Sequence, residues 1–189
     1  MAMQEEHYRR VLIVFGILFI ILSSIELINI YILMNTQINL YGKKMLFKDF
    51  IHNLDIVPIA GILLFYFLIS SICFFFIIGF LSIKASSEKI EDNAIRSKKI
   101  LILGILILIF SFIKLGYLNF LGRIKVNVSG ELRSFQHIIF MSNFGPFYIV
   151  VIWLFFTCVI CFYLMVGLVY GALGLHWNLE LQRMKPESE

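Results

Sequence analysis

Charge is scarce in this chain. Asp, Glu, Lys and Arg make up 15% of its 189 residues, against the roughly 25% usual in soluble domains. The scarcity is also concentrated. Across 11–34, 56–83, 100–122 and 145–175, the only charged side chains well inside the apolar runs are Glu26 and Lys114. The formal net charge of +4 is spread over loops and tails. No basic stripe of the kind a nucleic-acid surface needs is present, so no nucleic-acid partner is expected.

Cysteine is scarcer still, with three residues, and its placement excludes cross-linking of the loops. Cys73, Cys158 and Cys161 all fall inside apolar runs, and the intervening loops hold none. No disulfide framework can hold those loops, which sets the chain apart from four-span proteins with a cysteine pair in a long outer loop. Cys158 and Cys161 have C-x-x-C spacing, but on an apolar helix they read as small buried side chains. The four histidines, His7, His52, His137 and His176, lie near or outside the ends of the runs. A haem in a helical bundle needs two histidines at matching depth on facing helices, and none is so placed. There is no H-E-x-x-H, no paired-Asp motif and no serine nucleophile elbow. No catalytic residue, metal ligand or cofactor is expected.

What the chain has is length of apolar sequence. Hydrophobic residues make up 60% of it, and the mean hydropathy is +0.92. Each run exceeds the roughly 20 residues a helix needs to cross a bilayer core. In lipid, backbone polar groups must be satisfied within the segment, which makes each run a helix. We expect an all-α integral membrane protein. Its form is a four-transmembrane antiparallel helix bundle, one domain over 1–189. The remaining loops are too short for a separate soluble core. The first run is too long for a signal-peptide core and lacks a small-residue cleavage site, so it is expected to stay as the first span.

Lys and Arg gather at the cytoplasmic ends of spans. Arg9, Arg10, Lys84, Lys89, Arg96, Lys98, Lys99, Arg183 and Lys185 flank one side; Lys43, Lys44, Lys48, Arg123, Lys125 and Arg133 flank the other. The excess places both termini in the cytoplasm, with the cell membrane as the expected location. The sequon Asn127-Val128-Ser129 then falls outside, which makes Asn127 a candidate glycosylation site.

The loops carry patterns of their own. Leu46, Phe47, Phe50, Ile51 and Leu54 recur at helical spacing, an amphipathic stretch that caps the bundle or lies among headgroups. Ile124, Val126 and Val128 alternate with polar residues before Ser129-Gly130, so a short β-hairpin is predicted there. In the connecting loop, Ser86 or Ser87 is placed to cap a short helix, with Glu91 near its start. The polar segment from His176 is expected to continue the fourth helix, with Trp177 at headgroup level.

Intramembrane charges are costly and find partners. Glu26 lies 16 residues beyond Arg10, and Lys114 lies 15 beyond Lys99. At about 1.5 Å per residue, both reach roughly 23 Å from the inner boundary. Equal depth and opposite sign predict an ion pair. Ser23 and Asn29 flank Glu26 at three-residue spacing, and Ser111 and Tyr117 flank Lys114 likewise. The expected result is a small intramembrane polar network. Gly167 and Gly171, with Gly174 following, form a small-xxx-small face for close helix packing.

These features point to a non-catalytic accessory or scaffolding subunit of a larger membrane complex. Its partners would be other integral membrane subunits and lipids. Two alternatives stand beside it. One is a small transporter or channel using the Glu26/Lys114 site. The other is a membrane enzyme acting on lipid or quinone near His176 and Trp177.

Overall fold

A computed structural model describes residues 2–40, 43–52, 61–87, 93–128, 131–137 and 146–184. The chain is mostly helical. Four long helices carry it: α1 (Ala2–Met34), α3 (Gly61–Ser87), α4 (Asn93–Arg123) and α5 (Pro146–Met184). Each contains a stretch long and apolar enough to cross a membrane, namely Tyr8–Met34, Phe65–Ser87, Ser97–Arg123 and Val151–Leu181. This is an integral, multi-pass membrane protein.

Two antiparallel hairpins follow α1 and α4. Strands β1 (Gln37–Leu40) and β2 (Lys43–Leu46) pair with Gln37 opposite Leu46. Strands β3 (Lys125–Val128) and β4 (Glu131–Ser134) pair with Lys125 opposite Ser134. The second hairpin stands where alternation predicts one. The first was not anticipated. A short helix α2 (Phe47–His52) follows it directly and holds part of the predicted amphipathic stretch; Leu54 lies outside the described residues. Ser86 and Ser87 do not start a helix. They end α3, where their hydroxyls donate to the carbonyls of Ile83 and Lys84. Glu91 lies outside the described residues.

The element order is therefore stated twice, as long helix, hairpin, helical turn, long helix. The sequence repeats with it at a spacing of 88 residues, the separation of Glu26 and Lys114. Gly16, Ser23, Leu27, Asn39, Phe47, Ile72, Cys73, Phe74 and Gly79 recur as Gly104, Ser111, Leu115, Asn127, Phe135, Ile160, Cys161, Phe162 and Gly167. Burial recurs too. Leu12, Phe19, Ser23, Glu26 and Ile30 are buried on α1, and Ile100, Ile107, Ser111, Lys114 and Leu118 are buried on α4. Self-similarity at a fixed period marks a tandem repeat.

Contacts gather the chain into two compact units. The first comprises 1–23, 74–112 and 160–189. Its centre is aromatic: Tyr163 stacks on Phe75 at 4.0 Å and on Phe19 at 5.0 Å between ring centroids. Helices in lipid gain nothing by hiding apolar surface from water, so close backbone approach carries their association. A Cβ at Gly16 would lie 2.9 Å from the Gly79 carbonyl oxygen, and one at Gly79 would lie 2.8 Å from that of Gly16. The equivalent pair of helices in the second repeat, α4 and α5, meets through Gly104, Gly167 and Gly174.

The second unit comprises 24–73 and 113–159. Phe47, Phe50 and Ile51 of α2 are buried against Val126 and Phe135. The amphipathic stretch thus packs on the second hairpin. Each hairpin is closed at its base by the same bond. The Phe47 amide donates to the Thr36 carbonyl at 3.0 Å, and the Phe135 amide to the Ile124 carbonyl at 2.8 Å.

Candidate functional site

Glu26 and Lys114 sit on one face of α1 and of α4, each buried at the position that repeats in the other helix. The Lys114 ammonium donates to both carboxylate oxygens of Glu26, at 2.6 and 2.7 Å. The side chains are 0% and 1% exposed. Two charges removed from water are tolerated when geometry and hydrogen bonding compensate their desolvation. Short, charge-assisted contacts to both oxygens meet that condition.

Of the polar residues expected around the pair, two have hydrogen-bond partners on the helices. Ser23 shares a 3.1 Å hydrogen bond with the Tyr163 hydroxyl. Ser111 Oγ donates 2.6 Å to the carbonyl of Ile107, one turn back on its own helix. Tyr117 is half-buried and its ring lies 5.0 Å from that of Phe67. Asn29 is half-buried on α1. Spacing of three fixed the helix face of each residue but not the neighbour that face would meet. Tyr163, fully buried, was missed because an isolated tyrosine in a long aromatic run carries no signal of its own.

The glycines divide by role. A Cβ at Gly167 would lie 2.9 Å from Leu108, and one at Gly174 would lie 2.6 Å from the Leu101 amide nitrogen. At Gly171 an added Cβ would meet nothing within 4 Å. Gly171 matters as the backbone that Gly104 approaches: a Cβ at Gly104 would overlap the Gly171 nitrogen and lie 2.9 Å from its Cα. Gly104 was not among the expected packing residues, and the repeat is the signal that would have found it.

Cys73, Cys158 and Cys161 are exposed, so the buried placement expected for Cys158 and Cys161 is corrected: both lie on the outward side of their helix. Trp177 is buried and stacks on Tyr8 with ring centroids 4.9 Å apart. His176 is exposed beside it, with Nδ1 3.6 Å from Glu180. Asn127 is exposed on β3, and Ser129 of its sequon lies outside the described residues. Among the described residues, no three His, Cys, Asp or Glu side chains come together as a metal site would require.

No protein-family model, curated protein or solved structure matches the chain.

Proposed function

We propose that this chain is a non-catalytic multi-pass subunit that supports a larger membrane protein complex. On this reading its four spans form an antiparallel bundle in the cell membrane, with both termini cytoplasmic. Its partners are other integral membrane subunits and lipids. One observation carries the reading. The two charges deepest in the spans, Glu26 and Lys114, contact each other and are 0% and 1% exposed. Much of what the spans turn outward is apolar: Ile28, Phe80, Phe112, Leu154, Met165 and Leu168 are each more than half exposed. Such faces suit neighbouring helices and acyl chains.

A second reading, a small transporter, has one observation in its favour. Transporters built from repeats hold their substrate where the repeats meet, and the ion pair joins equivalent positions of two repeats. Reconstitution in liposomes separates the two. The wild-type protein is expected to show the proton and small-ion flux of protein-free liposomes. Flux above that background, abolished by Glu26→Gln in a protein that remains folded, would overturn the subunit reading.

A further inference from the structure

The two repeats differ at one place in a way that opens a site. Between the hairpin-side ends of α4 and α5 lies a groove of about 670 Å³. That volume is within the range of about 300–1,000 Å³ typical of small-molecule sites. Gly116, Asn119 and Gly122 line it. The first repeat carries Ile28, Tyr31 and Met34 at these positions, and Asn35 where the groove has Arg123. Three large side chains have become small or polar ones, and a neutral one has become a cation. A Cβ at Gly116 would meet nothing within 4 Å, so the space beside it is open.

The groove has two ends of different chemistry. Arg123, exposed at the last residue of α4, is joined by Asn119 and Gln136. Leu115 and Leu118 line it further along α4. Leu115 and Arg123 are eight residues apart, about 12 Å along the helix. Trp153, beside Gly122 and near the start of the α5 span, marks the membrane boundary, where amphipathic rings concentrate. A cation with amide donors at the headgroup level, above an apolar slot descending into the bilayer, is complementary to one class of molecule.

We propose that this groove binds a single phospholipid of the hairpin-side leaflet. Its phosphate rests against Arg123 and one acyl chain lies along Leu115, Gly116 and Leu118. Guanidinium is suited to this task because its forked donors match phosphate oxygens. The site is independent of the subunit reading.

Trp153 reports on the groove directly. The chain has two tryptophans, and Trp177→Phe leaves Trp153 alone. The test titrates this variant, in dodecyl maltoside, with phosphatidylglycerol brominated on its acyl chains. Quenching of Trp153 is expected to saturate near one lipid per protein. Unbrominated phosphatidylglycerol should reverse it, and inorganic phosphate should not. Gly116→Ile, the residue of the first repeat, is expected to remove the saturable quenching. Arg123→Gln is expected to weaken phosphatidylglycerol about tenfold, as loss of a hydrogen bond to a charged group does, and to leave brominated diacylglycerol unchanged. Quenching that rises without saturation, or equally in Gly116→Ile, would overturn the proposal. So would reversal by inorganic phosphate, which would mark a free-anion site. Native mass spectrometry of the wild-type protein gives a second reading that needs no variant to fold. One retained phospholipid supports the site, and bare protein throughout the same titration overturns it.

Discussion

Replacing Glu26 by Gln should damage this protein far more than removing both members of the pair. In the native chain the Lys114 ammonium touches both Glu26 oxygens, and neither side chain reaches solvent. Glu26→Gln leaves that ammonium buried without the carboxylate it touches. Breaking a buried pair in this way costs roughly 3–5 kcal/mol. For a chain of this size about 2–4 °C of melting temperature accompanies each kcal/mol, so a fall of roughly 6–20 °C is expected. Glu26→Gln with Lys114→Met removes both charges, keeps similar volumes and should fall within about 1 kcal/mol of the wild type. Exchange of the two, Glu26→Lys with Lys114→Glu, should also be tolerated, because the positions are equivalent in the repeat. The assay is thermal unfolding of the four proteins in one mild detergent, followed by circular dichroism. Equal losses in the single and double variants would show that the pair contributes no coupling and would refute the reasoning.

Two further predictions concern packing. Gly104→Ala pushes a methyl group into the Gly171 backbone and should cost about 1–3 kcal/mol, whereas Gly171→Ala meets open space and should be neutral or gain about 0.5–1 kcal/mol; melting temperatures in the same detergent decide, and equal losses would remove the asymmetry. Phe47→Ala empties the cluster that joins α2 to the second hairpin and should cost about 3–5 kcal/mol locally. Hydrogen exchange should then quicken at β3 and β4 while the helices keep their protection, and unchanged exchange there would contradict the packing.

The long helices were legible because a bilayer imposes a length, and the second hairpin because Ile124, Val126 and Val128 alternate. Depth counting brought Glu26 and Lys114 to one level, since two helices running the same way rise equally per residue. The first hairpin was hidden by the helical pattern that begins at Leu46. Its base is closed by a backbone bond from Phe47 to Thr36, which no side-chain pattern announces. Partners of Ser23, Ser111 and Gly104 depend on which helix faces which, and one helix's periodicity does not contain that. The repeat was present in the sequence but obscured, because lipid accepts Ile, Leu and Phe interchangeably at outward positions. Its fixed points are residues that packing constrains, such as Gly16 with Gly104 and Phe47 with Phe135. The same comparison exposed the groove, where Ile28 is matched by Gly116.

The central claim is that the chain works as part of a larger assembly. Purification from its native membrane in mild detergent, followed by native gel separation and mass spectrometry, tests it most directly. Stoichiometric co-migration with larger integral membrane subunits is the predicted result. Migration alone, or only with copies of itself, would contradict the account.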